Sequence, residues 1–438
     1  MNPLLAITPI DGRYSTTTNT LVPFFSEYAL FKYRLRIEIE YFIALCEIPL
    51  PKLQDFDHHL FHQVRNIYYS FTPDDCLRIK EIETDTNHDI KAVEYYLQEK
   101  FKDLGLQKYI SYLHIGLTSQ DINTSANILA IKSFFHNILV PTLNEVLKVL
   151  DSLANQWENV TMLSRTHGQP ATPTTLGKEI RVFHYRIVNQ LKQLRKIQYR
   201  TKFGGAVGNF HAHRAAFPNI DWESFADDFC KKLGLVRNQH TTQISNYDEL
   251  AEIFDNIKRI NTIFIDLNVD MWLYISYNYF TQKTSEQEVG SSTMPHKINP
   301  INFENSEGNL YLAQSLLECF SRKLPVSRMQ RDLTDSTILR NVGSAFAYSL
   351  IAYQSTLKGL HKLTPNTTII QSDLDKNYLV ISEAIQTILR REGFENSYEL
   401  LKNFSRNTMQ NLTKESFDEF INTLSVSSEL INELKTLR

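Results

Sequence analysis

The chain has 438 residues, and Gly and Pro number only 14 each, which is about 3% apiece against the usual ~7% and ~5%. Turns are therefore few, and long helices are favoured. The net charge of −3 at pH 7 excludes a strong overall field directed at nucleic acid or at a membrane. No apolar run approaches the ~18 residues of a membrane span, the N-terminus lacks signal-peptide features, and the four separated cysteines fit a reducing compartment. We expect a cytoplasmic protein.

Residues 1–111 are predicted to form an N-terminal domain of shorter helices, interrupted by proline-containing turns. The long helices follow. The first begins near Ile128 and continues past Pro141 to Leu153. We expect a kink at Pro141, because proline cannot donate the backbone hydrogen bond of a helix. The second long helix is predicted from about Thr175 to Leu194.

The clearest periodicity lies between residues 245 and 280, where apolar side chains recur at steps of three and four. The spacing of Ser245 and Asp248 is that of a capping box, which predicts the start of this helix. A fourth long helix is predicted from about Asp335 through Leu357. The apolar positions of the 245–280 helix are Leu250, Ile253, Ile257, Ile260, Phe264, Leu267, Met271 and Tyr274.

Together these patterns predict an all-α fold of three helical domains. Residues 112–364 would form the central bundle of long helices, and residues 365–438 a C-terminal helical domain. The regular apolar positions are interpreted as core and carry no chemistry. They could also mediate assembly, because a helix of ~35 residues is about 50 Å long and overhangs a small monomer.

The most distinctive polar segment runs from Gly290 to Pro300, directly after a stretch without Gly or Pro. It combines the hydroxyls of Ser291 and Ser292 with the positive charge of Lys297 and the amide of Asn299. Such a loop could hold an anion close to a reactive hydroxyl. The alternative is an ordinary turn, since turns use these same residue types.

A second polar break contains His167, between residues 164 and 173. One Gly and two Pro predict an irregular junction there, with Thr174 or Thr175 capping the next helix. A histidine titrates near neutral pH and is the commonest general acid or base. The alternative is a histidine bound to the local backbone.

Two further breaks precede predicted helices. Thr118 and Ser119 could bind an anion at a helix start, or they could simply cap that helix. Asn87, His88 and Asp89 could likewise form a cap or contact a polar ligand. The pair of histidines at 211 and 213 has no carboxylate or thiol nearby in sequence, which is a weak indication of a metal site.

The chain contains, in this order, the motifs Pro9–Tyr14, Thr86–Asp89, Thr118–Ser119, Arg165–Pro173 and Gly290–Pro300. Together these motifs resemble the adenylosuccinate lyase family, in its bacterial form, within the fumarase/aspartase superfamily. The resemblance covers nearly the whole chain. The loop at 290–300 is typical of the superfamily, and the Asp-Gly-Arg-Tyr start and the Asn-His-Asp element favour this one family. Relatives of this form usually continue past the equivalent of Leu437, so we expect a C-terminus that is naturally short or incomplete.

The resemblance implies a homotetramer whose core is the long-helix bundle, with sites built from several chains and no metal or cofactor. It implies β-elimination of fumarate from adenylosuccinate and from succinyl-aminoimidazole-carboxamide ribotide, in purine biosynthesis. Ser291 would be the base and His167 the general acid. The residues carried over as substrate-binding are Arg13, Tyr14, Asn87, His88, Asp89, Thr118, Ser119, Gln243, Ser292, Lys297, Asn299, Asn305, Arg331, Ser336 and Arg340.

Elementary chemistry agrees with these roles. Removing a proton beside a carboxylate creates a dianion, which Lys297 and nearby N–H groups could stabilise. A serine acts as a base only when ionised, which needs positive charge and dry surroundings. Two alternatives remain. One is another fumarate-forming lyase, such as argininosuccinate lyase, and the other is a helical scaffold without turnover. Neither nucleic acid nor a membrane is an expected partner.

Overall fold

The computed structural model of the chain describes residues 2–284, 293–294, 296–408 and 414–437. Helices dominate these ranges, which confirms the all-α prediction. Within the same ranges, no helix is both long and apolar enough to cross a membrane.

The helices of the first half are α1 Ser15–Thr18, α2 Val22–Phe25, α3 Glu27–Cys46, α4 Phe61–Tyr69, α5 Pro73–Thr86, α6 Asp89–Asp103, α7 Ser119–Phe134, α8 Val140–Gln156, α9 Leu176–Leu194, α10 His211–Ala216 and α11 Trp222–Lys232. Those of the second half are α12 Asp248–Ser276, α13 Ile301–Lys323, α14 Thr334–Leu339, α15 Val342–Lys362, α16 Thr367–Asp375, α17 Ser382–Arg391, α18 Ser397–Thr408, α19 Lys414–Asn422 and α20 Ser428–Thr436.

Short strands form three separate pairs within the described residues. The antiparallel pairs are β1 Thr161–Thr166 with β2 Gln169–Thr175, and β5 Phe280–Gln282 with β6 Leu363–Pro365; the parallel pair is β3 Arg200–Thr201 with β4 Val236–Arg237.

The irregularity predicted at Pro141 takes the form of a π-helical turn. This turn, Phe135–Leu139, lies between α7 and α8. Pro141 is in the first turn of α8 and has no N–H to donate to the carbonyl of residue 137. A wider turn at this point accommodates the missing bond.

Helix α12 buries the apolar positions that the periodicity predicted, apart from the half-buried Tyr274. The predicted capping box is wrong. The buried Ser245 hydroxyl accepts a hydrogen bond from Asn238 Nδ2 at 3.5 Å. The helix begins at Asp248, directly after Tyr247, whose φ is 62°. The left-handed conformation of Tyr247 turns the chain, so Ser245 lies outside the first helical turn.

The single helix predicted from Asp335 to Leu357 is two helices, α14 and α15. Arg340 and Asn341 lie between them, and the Asn341 N–H bonds the carbonyl of Ile338 at 2.9 Å. The tighter i to i−3 bond interrupts the α-helical ladder. Arg340 is therefore displayed at a helix break and is exposed.

The chain forms two compact units. The first contains residues 1–144, 189–265 and 305–355, and the second contains residues 145–188, 266–304 and 356–438. The second unit includes a small apolar core of its own near the C-terminus. The three-domain division at residues 111 and 364 stays a prediction. The core residues of this C-terminal cluster are Ile385, Leu389, Leu401, Phe417, Ile421, Leu424, Leu430 and Leu434.

Candidate functional site

Asn87, His88 and Asp89 form the junction of α5 and α6 in the first unit. Asn87 ends α5 in the left-handed conformation with φ of 51°. His88 Nδ1 then accepts the Lys91 N–H at 3.1 Å, as the N-cap of α6. The interpretation as a helix cap is confirmed, and it leaves the carboxylate of Asp89 at the first position of α6.

A buried arginine, which the sequence analysis missed, holds that carboxylate. Arg34 on α3 is 5% exposed, and its Nη2 donates to Asp89 Oδ2 at 2.6 Å. Its Nε donates to Asn123 Oδ1 on α7 at 2.8 Å. Burial would raise the pKa of Asp89, but the charge of Arg34 lowers it below its ordinary value. Arg34 thus keeps Asp89 ionised. Burial lowers the pKa of the Arg34 guanidinium, and the nearby positive charge of Arg340 lowers it further.

The N-terminal motif meets α13 through a single hydrogen bond. Asn305 Nδ2 donates to the Tyr14 hydroxyl oxygen at 2.8 Å. Arg13, one residue earlier, is exposed. The structure thus brings together Tyr14 and Asn305, two candidates that lie 291 residues apart in the sequence.

Three more candidates form one polar cluster. Arg331 Nη1 donates to Gln243 Oε1 at 3.2 Å, and its Nη2 donates to Ser336 Oγ at 3.3 Å. The backbone of Ser336 is fixed by Asp335, whose second oxygen accepts from Tyr247 at 3.0 Å. Arg331 Nε is buried and has no hydrogen-bond partner among the described residues. Such a donor is suited to an oxygen of an anionic ligand.

The turn that precedes α7 carries Thr118 and Ser119. The Thr118 N–H donates to Asp121 Oδ2 at 2.8 Å, so the helix-capping interpretation is confirmed for Thr118. Four residues before Thr118, the same turn contains His114, with φ of 55°. Its Nδ1 lies 2.6 Å from Oε1 of the fully buried Glu38 carboxylate.

His167 lies at the tip of a β-hairpin in the second unit, so the predicted irregular junction is wrong. Its φ is 53° and that of Gly168 is 74°. Two central residues with positive φ match the two-residue turn that suits the twist of β1 and β2. Thr175 Oγ1 accepts the Lys178 N–H at 3.3 Å, which confirms the predicted cap of α9.

The base of this hairpin is anchored while its tip is exposed. Arg165 Nη2 donates to Asp373 Oδ2 at 2.7 Å, and its guanidinium lies 5.0 Å from the centre of the Tyr277 ring. His167 itself is exposed. The imidazole is therefore presented to solvent from a fixed support.

Ser291 and Ser292 lie outside the described residues. Lys297 is exposed and Asn299 is half-buried. The Lys297 N–H donates to the Met294 carbonyl at 3.0 Å, which closes a tight turn. The second unit thus carries His167, Lys297 and Asn299, and every other described candidate belongs to the first unit.

The histidine pair at 211 and 213 lies on the short helix α10. No group of three or more potential metal ligands occurs in the described ranges. His213 is buried, and its Nε2 lies 3.1 Å from the Tyr41 hydroxyl oxygen. Burial lowers the pKa of His213 to about 4, so the ring is neutral at pH 7.

Two protein families match the chain. The Lyase family matches residues 12–314, and the Adenylosuccinate lyase C-terminal family matches residues 327–438. Adenylosuccinate lyase of Dictyostelium discoideum is 49% identical over 448 residues, covering 100% of this chain and 96% of the relative. The enzyme of Escherichia coli (strain K12) is 44% identical over 439 residues, with the same coverage of 100% and 96%.

Solved structures share the fold at much lower identity. A fumarate lyase from Mesorhizobium sp. BNC1 has a TM-score of 0.77 and 17% identity, covering 95% of this chain and 93% of that one. The 3-carboxy-cis,cis-muconate lactonizing enzyme from Pseudomonas putida has a TM-score of 0.74 and 18% identity, with coverage of 95% and 92%.

Proposed function

The chain belongs to the adenylosuccinate lyase family, and we propose that it eliminates fumarate from adenylosuccinate, giving AMP. The same elimination from succinyl-aminoimidazole-carboxamide ribotide gives aminoimidazole-carboxamide ribotide. The observation that carries this proposal is the 49% identity to an adenylosuccinate lyase over the entire chain. The cluster of Gln243, Arg331 and Ser336 supports it, because Arg331 Nε is a buried donor with no hydrogen-bond partner among the described residues, and such a donor suits an anionic ligand.

The proposed chemistry uses one base and one acid. An ionised Ser291 takes the proton from the succinyl β-carbon, and the electron pair delocalises into the adjacent carboxylate. The C–N bond then breaks, the pair forms the double bond of fumarate, and His167 protonates the leaving nitrogen. Lys297 stabilises the dianion that forms between these two steps.

The substrate carries a phosphate and two carboxylates, so several cations are needed. We assign this role to Arg13, Arg331, Arg340 and Lys297, since arginine can bind such groups through two nitrogens. The remaining candidates would contribute neutral hydrogen bonds, or the carboxylate of Asp89. They are Tyr14, Asn87, His88, Asp89, Thr118, Ser119, Gln243, Ser292, Asn299, Asn305 and Ser336.

We further propose a cytoplasmic homotetramer that acts on this small molecule without metal or cofactor. Apolar side chains are exposed on those parts of two long helices that belong to the second unit, namely Val182 and Tyr185 on α9 and Trp272 and Leu273 on α12. Helix α12 has 29 residues and is about 43 Å long. Apolar positions on long helices of this kind are suited to packing against other protomers.

The test follows the ultraviolet absorbance of purified protein mixed with adenylosuccinate, and separately with argininosuccinate. We expect turnover of adenylosuccinate alone. Ser291→Ala should abolish turnover with substrate binding retained, while the matched variant Ser292→Ala loses less. Turnover of argininosuccinate only would contradict the proposed substrate, and full activity of Ser291→Ala would remove that serine as the base.

A further inference from the structure

Beneath the Thr118–Ser119 turn lies an ion pair with both side chains fully buried. Lys202 Nζ donates to Asp121 Oδ1 at 2.7 Å, and each side chain is 0% exposed. Lys202 also donates to the Gly205 carbonyl. The pair therefore joins the first turn of α7 to the segment that follows β3.

The Asp121 carboxylate accepts hydrogen bonds from both of these segments. One oxygen accepts the Gly204 N–H at 2.8 Å, and the other accepts the N–H groups of Thr118 at 2.8 Å and Gly205 at 3.2 Å. The two segments are packed tightly, because a Cβ added to Gly205 would lie 3.0 Å from the Gly116 carbonyl oxygen. Gly204 and Gly205 thus fix the backbone of the turn that carries Thr118 and Ser119.

Capping of α7 alone does not require this arrangement. An Asp121 that bonded only the Thr118 N–H would complete the cap, without a buried lysine. Burying two charges is expensive, and apolar replacements of buried ion pairs are often equally stable. Burial lowers the pKa of Lys202 and the charge of Asp121 raises it, while Arg331 is close enough to lower it further. The ion pair therefore lies near Arg331, which is itself a candidate for substrate binding.

We propose that the Asp121–Lys202 ion pair is a positioning unit, which sets the Thr118–Ser119 turn in the geometry that binds the substrate. The inference rests on the proposed function, and neither side chain of the pair touches the substrate. Its consequence is that substrate affinity depends on a charge buried beneath the site, because Asp121 holds the turn only while it is ionised and paired.

The first test separates positioning from stability. Lys202→Met leaves Asp121 unpaired and should lower both the melting temperature and kcat/KM. The double variant Asp121→Asn/Lys202→Met removes both charges, so its melting temperature should recover. Its kcat/KM should stay lower by on the order of 10- to 100-fold, mainly through KM. Recovery of kcat/KM together with the melting temperature would reduce the pair to a structural role and overturn the proposal.

A double-mutant cycle provides the second test. If Lys202 acts through the turn, the losses of kcat/KM from Ser119→Ala and from the charge-free double variant should not add. Glu40→Gln is the control, because Glu40 pairs with Arg65 in the same unit and its effect should add to that of Ser119→Ala. Full additivity for the charge-free variant would overturn the proposal. Failure of the function itself is distinct, since the wild-type protein would then not turn over adenylosuccinate.

Discussion

Arg331 and Lys297 are both cationic candidates, but their surroundings differ. Arg331 is held by Gln243 and Ser336 before any ligand arrives. Lys297 is exposed, and its backbone closes a turn with Met294. A pre-arranged arginine suits ground-state binding of an anion, whereas a lysine in a polar loop can meet charge that develops during the reaction.

Lys297→Met should therefore lower kcat by about two orders of magnitude, the loss typical of removing one stabiliser of an oxyanion. Steady-state kinetics on adenylosuccinate provide the measurement. Lys178→Met is the matched control, because Lys178 is exposed and pairs with Glu179. A raised KM with unchanged kcat would instead identify Lys297 as a ground-state anchor.

The buried neutral ring of His213 predicts how stability depends on pH. Its pKa is about 4 in the folded protein, against an ordinary value of 6.5. Between these values the unfolded chain binds the extra proton, so the free energy of unfolding falls as the pH drops from 6.5 towards 4. The share of His213 is about 2–3 kcal/mol.

His213→Phe should flatten this dependence, because the ring is kept and the titration is lost. Urea unfolding at pH 7, 5.5 and 4.5 measures the effect. His59→Gln serves as a control, since His59 is exposed and should leave the dependence unchanged. An equally steep pH profile in His213→Phe would show that other groups cause the loss.

At the scale of elements, the sequence predicted the buried face of a helix, which depends on periodicity. It missed features that depend on contacts with residues distant in the sequence. The apolar positions of α12 are buried as expected, because a repeat of three and four residues defines one face of a helix. The capping box at Ser245 is wrong, since the left-handed Tyr247 turns the chain and the helix begins only at Asp248. Spacing alone could not reveal that backbone conformation.

The hairpin around His167 was not predicted from the sequence, for a related reason. Its strands contain two prolines and no apolar alternation, so the pattern of a strand was absent. Arg34 and Lys202 were missed because neither residue belongs to a recognisable motif: Arg34 is one of three basic residues in α3, and Lys202 lies shortly before two glycines. Their partners, Asp89 and Asp121, lie 55 and 81 residues away. The other candidates were found through motifs whose order the family shares.

The whole molecule raises the question of which chain supplies which catalytic group. If sites combine several protomers, His167 and Ser291 of one site come from different chains. The inactive variants His167→Gln and Ser291→Ala should then complement each other. Subunits of the two are dissociated, mixed and reassociated, and the rate is compared with that of each variant treated alone. A hybrid regains activity because some sites receive both intact residues.

Differently tagged chains provide the control for this experiment, because they demonstrate that mixed assemblies have formed. Mixed assemblies without restored activity would mean that one chain supplies both residues. That result would remove the shared site and leave the proposed reaction unaffected.

Two histidines share a left-handed backbone, and protein engineering would treat them in opposite ways. Left-handed φ costs a non-glycine residue about 1 kcal/mol. Glycine at 167 would relieve that strain on an exposed tip, so a library sorted by melting temperature would enrich it and discard the proposed acid. Glycine at 114 would leave the buried Glu38 carboxylate without its histidine, so the same sorting would retain His114. Selection for thermostability alone would thus erase one histidine and preserve the other.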